Sequence, residues 1–281
     1  MILEETIKKH ILEMNFRGKI IDIKEGNSGK VYIIDNGENV SPRLIAYKTL
    51  KNCDEEKVIQ FENEIKNWFS CQNAYLVKPF YVQTILDEKY VCMPALEGSL
   101  GDLLTNEMEI DEIAALIYIL QITKGLINLN SYGIMNHQDL NPPNILYKDL
   151  SKHFHEFPSS VMHHSFKNKL YISDLGIANL YKAETSENKF GGKFAFKAPE
   201  QYPENKIKGF APDVFSLGVI CSLLLTKKHP CGHEIKKINR RNPKKPKNGW
   251  LNWAKSGERI IEYHNHEIKE VIIQMLNSDP S

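Results

Sequence analysis

Between two β-like runs the chain carries Lys24-Glu25-Gly26-Asn27-Ser28-Gly29-Lys30-Val31. Glycines at such a place remove the Cβ that would keep backbone N–H groups away from phosphate oxygens. Ala46-Tyr47-Lys48 then ends another β-like run, from which a lysine ammonium can pair with phosphates while Glu64, on a helical stretch, holds it in place. Taken alone, each feature has an ordinary alternative: glycines between strands also make hairpin turns, and lone charges also serve as solvated surface. Further on, His137-Gln138-Asp139-Leu140-Asn141-Pro142-Pro143-Asn144-Ile145-Leu146 and Tyr171-Ile172-Ser173-Asp174-Leu175-Gly176 concentrate carboxylates and amides in two short segments.

The elements that must position these residues change character along the chain. Up to about residue 92, short β-rich runs dominate: Val31-Tyr32-Ile33-Ile34, Leu44-Ile45-Ala46-Tyr47 and Tyr90-Val91-Cys92. One helical stretch interrupts them, opening at the N-cap candidate Asp54 and repeating apolar residues at Val58, Phe61, Ile65 and Trp68. After Gly98 the pattern turns helical. Asp111 can cap a buried helix whose apolar stripe is Ile113, Leu116, Ile117, Leu120 and Ile127, and Val214 to Leu225 reads as a second buried helix. The prediction is an α+β chain: a β-rich N-lobe over 1–93, a hinge over 94–98 around Pro94 and Gly98, and a larger helical C-lobe over 99–281.

The two dense segments resemble, in order, the H-R-D-x-K-P-x-N and D-F-G motifs of eukaryotic-type (Hanks-type) serine/threonine protein kinases. Ala198-Pro199-Glu200 matches the A-P-E motif, and Asp213-Val214-Phe215-Ser216-Leu217-Gly218 resembles the D-x-x-S-x-G helix that anchors the catalytic loop. The likeness covers residues 20 to 281. It implies a two-lobed kinase-like fold and transfer of the γ-phosphoryl group of Mg-ATP to Ser or Thr hydroxyls of protein substrates. By the same resemblance Lys48 holds the α- and β-phosphates, Glu64 orients Lys48, Asn144 and Asp174 ligate Mg2+, and Asp139 accepts the substrate hydroxyl proton. Gly26, Ser28 and Gly29 line the phosphate loop, while Val31, Ala46 and Leu146 sandwich the adenine. Met93 falls at the gatekeeper position, and the backbone of Pro94 and Leu96 lies nearest the adenine edge. A pseudokinase scaffold and a small-molecule phosphotransferase of the same fold are the competing readings; the retained Lys48, Glu64, Asp139, Asn144 and Asp174 argue against the first, and the A-P-E and anchoring-helix motifs against the second.

Five positions depart from the family pattern: Lys24 for the first glycine, Leu175 for the Phe of D-F-G, Gln138 for the Arg of H-R-D, Asn141 for the catalytic-loop lysine, and Lys193 for the threonine before A-P-E. The last two amount to an exchange, in which Lys193 supplies the cation near Asp139 and Asn141 the hydrogen bond. In the family the H-R-D arginine reads a phosphate on the activation loop, and Gln138 has no charge for this. Activity is therefore expected to be independent of phosphorylation at Tyr181, Thr185 or Ser186. The chain ends at Asp279-Pro280-Ser281, where the family continues into an arginine that pairs with the A-P-E glutamate, so a fragment of a longer chain is expected.

A length of 281 residues suits two lobes, and a formal net charge of +1 creates no global field for nucleic acid or membrane. Five cysteines without a C-x-x-C pair, and acids at the N-terminus where a signal peptide carries positive charge, point to a reducing, cytoplasmic setting. No apolar stretch reads as a membrane span. The basic run from Lys227 to Lys247 is either a solvated loop or a docking surface for an acidic protein, with nucleic acid the less favoured partner. His153, His155, His163 and His164, and separately His229, Cys231 and His233, read as loop residues rather than metal ligands; Trp250 and Trp253 read as packing anchors.

Overall fold

Alternation along a strand sends successive side chains to opposite faces, and here the two faces acquire different partners. In the computed structural model, residues 2–14, 18–26, 29–49, 68–69, 71, 73–86, 88–105, 110–131, 137–152, 165–174, 194–202, 210–234 and 246–278 are described. The chain forms two units: residues 1–70 with 77–96, and residues 71–76 with 97–281.

The first unit is a helix, α1 (Ile2–Met14), on a five-stranded antiparallel sheet of β1 (Lys19–Gly26), β2 (Gly29–Asp35), β3 (Leu44–Thr49), β4 (Tyr81–Ile85) and β5 (Glu88–Pro94), ordered β1-β2-β3-β5-β4. One sheet face carries Tyr32, Ile34, Ile45, Tyr47, Tyr90 and Cys92, and α1 lays Ile7 and Ile11 over it to make one buried cluster. Sealing the aromatic face needs these residues from before the glycine-rich hairpin. The opposite face is set by the register: Val31 pairs with Lys48, Ile33 with Ala46, Ala46 with Met93, and Lys48 with Val91.

The second unit holds a small sheet of β6 (Gly98–Ser99), β7 (Ile145–Asp149) and β8 (Asn168–Ile172), with helices α2 (Leu100–Thr105), α3 (Glu112–Ser131), α4 (Ala211–Thr226), α5 (Pro246–Ser256) and α6 (His266–Met275). Segment 71–76 joins this unit, since Leu76 bridges Ile172 and the Asn73 amide donates to the Gly125 carbonyl at 3.1 Å. Asp111 caps α3 as its sequence predicts, its carboxylate accepting the Ala114 N–H at 2.6 Å.

The buried face of α3 is not the predicted one. Ile113, Leu116, Leu120 and Ile127 are exposed by 53, 38, 53 and 61%, whereas Ala114, Ala115, Tyr118, Ile122, Leu126 and Leu129 are buried. The helix is apolar almost all round, so periodicity finds a stripe without deciding which one turns inward. Small residues decide it. A Cβ at Gly125 would lie 2.7 Å from Ile172 Cδ1, so only the Ala114–Ala115–Gly125 side lets α3 close on β8 and α4. Glu112–Leu129 is long and apolar enough to cross a bilayer, and one side of it packs on β8 and α4. Leu120→Ala should change unfolding free energy by no more than about 0.5 kcal/mol, and Ile122→Ala should lower it by about 3 kcal/mol. Denaturant titration of both variants checks this, and the opposite ranking would restore the predicted face.

Candidate active site

α4 carries a buried carboxylate, Asp213, in its first turn. Burying a carboxylate costs several kcal/mol unless donors surround it. Two backbone donors come from the catalytic-loop segment: His137 N–H at 2.5 Å and Gln138 N–H at 2.9 Å. Gln138 adopts a left-handed backbone, φ +63°, which an L-residue takes only when held. The His137 ring locks the next step, with its Nε2–H donating to the Ser173 carbonyl at 2.7 Å and its Nδ1 accepting the Asp139 N–H at 3.3 Å. With Nδ1 an acceptor, Nε2 is the nitrogen that carries the N–H.

Asp139 is gripped from the far side of the loop. Asn144 Nδ2 donates to the Asp139 carbonyl at 2.8 Å and to its carboxylate at 3.2 Å, and Asn141 Nδ2 donates to the same carbonyl at 2.7 Å. Pro142 and Pro143 favour the tight 3-10 turn Pro142–Asn144 that presents Asn144. The Asn144 carbonyl accepts both the N–H and the hydroxyl of Ser173, each at 2.9 Å, which fixes the residue before Asp174 against the catalytic loop. Asp174 also has a left-handed backbone, φ +62°. Asn141 Oδ1 is buried and has no hydrogen-bond partner among the described residues.

In the first unit, Gly26 and Gly29 face each other as the last pair of the β1–β2 hairpin. Val31, Ala46, Lys48 and Met93 share the sheet face opposite α1, and Lys48 is only 8% exposed there. Pro94 ends β5, and the Ala95 N–H continues the sheet by donating to the Leu44 carbonyl at 3.2 Å. Leu96 follows, half-buried. Leu146 lies in β7 of the second unit, paired with Tyr171 and Ser99. Ser28, Glu64 and Lys193 fall outside the described residues, as do Tyr181, Thr185, Ser186 and the histidines between 153 and 164.

Phe194 to Gln201, which includes the A-P-E residues, is pinned by three side chains, of which Ser216 belongs to the anchoring-helix motif, His229 reads in the sequence as a loop residue, and Tyr202 carries no sequence signal. The Phe194, Ala195 and Phe196 carbonyls accept from Tyr202 Oη at 2.8 Å, His229 Nε2 at 2.8 Å and Ser216 Oγ at 2.7 Å. His229 Nδ1 accepts the Cys231 N–H at 3.1 Å, so both ring nitrogens are occupied by backbone and neither is offered to a metal. Trp250 and Trp253 wall in the ring, with centroids 5.1 and 4.6 Å away. Arg259 sits 4.7 Å over Trp253 and donates to the Leu276, Trp253 and Ala254 carbonyls, closing the ends of α5 and α6. Glu200 has no cationic partner among the described residues, and burial pushes its carboxyl above the usual range. Of the basic run, Lys227 donates to the Ile110 and Leu224 carbonyls and Lys228 pairs with Glu262 at 2.7 Å.

The model of the protein kinase domain family matches residues 19–281. The chain belongs to the protein kinase family. Its relatives include a probable leucine-rich repeat receptor-like protein kinase of Arabidopsis thaliana, 28% identical over 216 residues, covering 74% of this chain and 18% of that protein. CBL-interacting protein kinase 28 of Oryza sativa subsp. japonica is 25% identical over 272 residues, covering 92% of this chain and 54% of the relative. NUAK family SNF1-like kinase 2 of Rattus norvegicus is 23% identical over 229 residues, covering 80% and 34%. The kinase domain thus spans at most about half the length of these relatives. α1 precedes the matched residues, and family likeness alone gives no sign of its sheet-covering role.

His229 gives the kinase domain a pH signature. Burial pushes its pKa down from 6.5 to about 4, against the upward pull of the Ala195 carbonyl, and the neighbouring His233 and Arg259 push the same way as burial. A depressed folded-state pKa means the unfolded chain binds the proton more readily, so stability is complete above the unfolded value and falls as pH drops from about 6.5 toward 4. Between pH 7.5 and pH 5 this residue should remove about 2 kcal/mol. Denaturant titration of the wild type against His229→Gln at both pH values isolates the contribution, and equal pH slopes would contradict it.

Proposed function

We propose that the domain is an active ATP-dependent protein kinase that phosphorylates Ser or Thr hydroxyls of protein substrates. The observation that carries this reading is the position of Asp139: its backbone is fixed by His137, Asn141 and Asn144, and its carboxylate lies beside the Asn144 amide. That is the arrangement a general base needs to take a proton from an alcohol without reorganising. A pseudokinase scaffold needs no such construction around one carboxylate.

The residues present fit Mg-ATP. Asn144 commits its Nδ2 to Asp139, which leaves its oxygen as the atom for a cation, and the Asp174 carboxylate is a second hard-oxygen donor. Bound Mg-ATP supplies the γ-phosphoryl group and part of its charge neutralisation. Lys48 would pair with the phosphates, with Glu64 to orient it. Gly26, Ser28 and Gly29 would offer backbone N–H groups to them, and Val31, Ala46, Leu146, Met93, Pro94 and Leu96 would serve the adenine. Asn141 has a buried oxygen with no donor among the described residues, which supports the exchange in which Lys193 takes over the missing lysine's charge. Gln138 carries no charge to meet an activation-loop phosphate, and the segment after that loop is held by neutral groups, Tyr202, His229 and Ser216. Acidic docking partners would be met by the basic residues from Lys236 to Lys247, since Lys227 and Lys228 are engaged internally. The cysteine usage suits a reducing, cytoplasmic setting.

The test is transfer of label from γ-labelled ATP with Mg2+ to a mixed protein extract, followed by identification of the modified residue type. Lys48→Met, Asp139→Asn and Asp174→Ala should each lower transfer by at least about a hundredfold, roughly 2.7 kcal/mol in barrier. Wild-type-like transfer by Asp174→Ala, or label found only on tyrosine, would overturn the reading.

A further inference from the structure

Gln201 follows the A-P-E residues and is 6% exposed. Its carboxamide makes two hydrogen bonds of opposite sense. Oε1 accepts the Ala198 N–H at 3.0 Å, within its own 3-10 turn, and Nε2 donates to the Gln138 carbonyl at 2.8 Å, 63 residues away. Gln138 is the left-handed residue before Asp139, and its N–H is already taken by Asp213. Both peptide groups flanking its strained torsions are therefore clamped, one by a carboxylate from α4 and the other by the Gln201 amide. An unclamped L-residue relaxes from this conformation toward the broad negative-φ regions, which would swing the Asp139 backbone with it.

We infer that Gln201 is a positioning residue for Asp139, acting through the Gln138 carbonyl and coupling the A-P-E segment to the general base. The inference rests on the kinase reading for its consequence in catalysis, though not for its geometry. Gln201 touches neither Asp139 nor any reacting atom, so its effect should appear in turnover rather than in nucleotide affinity. The tie is neutral and short, and it lies on the residue where the family carries the H-R-D arginine. Any change that shifts the A-P-E segment would be felt at Asp139 through it.

Two variants separate the two bonds. Gln201→Glu keeps an acceptor for the Ala198 N–H and loses the donor to Gln138; Gln201→Met loses both. Each should lower kcat at least about tenfold, about 1.4 kcal/mol, with KM for ATP within about twofold. Adding Gln138→Asn to either should recover most of the loss, because asparagine takes the left-handed conformation more readily. Hydrogen exchange gives a readout that needs no activity: the Asp139 amide should exchange at least about tenfold faster in Gln201→Glu, while amides of α3 stay protected as in the wild type. If the wild type transfers no phosphoryl group, the kinase reading fails and the exchange result still decides this inference. If Gln201→Met does not fold, Gln201→Glu decides alone. Wild-type kcat and wild-type Asp139 exchange in Gln201→Glu would overturn the proposal, as would a kcat loss that Gln138→Asn leaves unchanged.

Discussion

The buried carboxylate of Asp213 is the constraint around which the second unit is arranged. A carboxylate in an apolar helix is tolerated only if donors come to it, and the donors are the N–H groups of His137 and Gln138. Receiving them forces the backbone through a left-handed turn at Gln138, which in turn directs Asp139 toward Asn144. His137 and Asn144 then carry the constraint to Ser173 and so to Asp174. One ionisable group thus ties two segments distant in sequence, 137–144 and 173–174, to α4. The helix that holds it is buried along nearly all its length, so it cannot shift to relieve the loop.

The first unit solves a different problem with the same economy. A sheet that turns Val31, Ala46, Lys48 and Met93 to one face needs its other face sealed, and here that face is rich in tyrosine. α1 seals it with Ile7 and Ile11, while Tyr47 and Tyr81 satisfy their hydroxyls against one another at 2.5 Å and Tyr90 donates to Glu88 at 2.9 Å. Burying aromatic rings whose hydroxyls have partners stabilises the sheet without leaving orphan polar groups. Lys48, Ala46 and Met93 are consequently set by strand register alone, since a slip of one residue would send them to the tyrosine face.

Most of the candidate site is legible in the sequence because it sits in short motifs. Asp139 and Asn144 are five residues apart, and the proline pair between them announces a tight turn. The family resemblance singles out Val31, Ala46 and Lys48, and strand register puts them on one sheet face. What escaped notice depends on distant partners. Gln201 and His229 look like unremarkable polar residues until Gln138 and Ala195 come beside them, and Arg259 gains meaning only when α5 and α6 converge on it. α3 failed for another reason: with isoleucine and leucine on every side, its apolar periodicity carries little orientation, and the information lay in the small residues Ala114, Ala115 and Gly125. A search for small residues at helical spacing would have found the correct face.

The claim that the Asp213 carboxylate holds the catalytic loop is tested most directly by Asp213→Asn, which keeps the shape of the side chain and replaces one acceptor oxygen by a donor. That donor would confront an N–H of His137 or Gln138 at a buried position. Steady-state phosphoryl transfer by this variant, at a temperature where circular dichroism shows it folded, should fall at least about a hundredfold, roughly 2.7 kcal/mol. Turnover within a few-fold of the wild type would show that the loop is held by something else and would contradict the account.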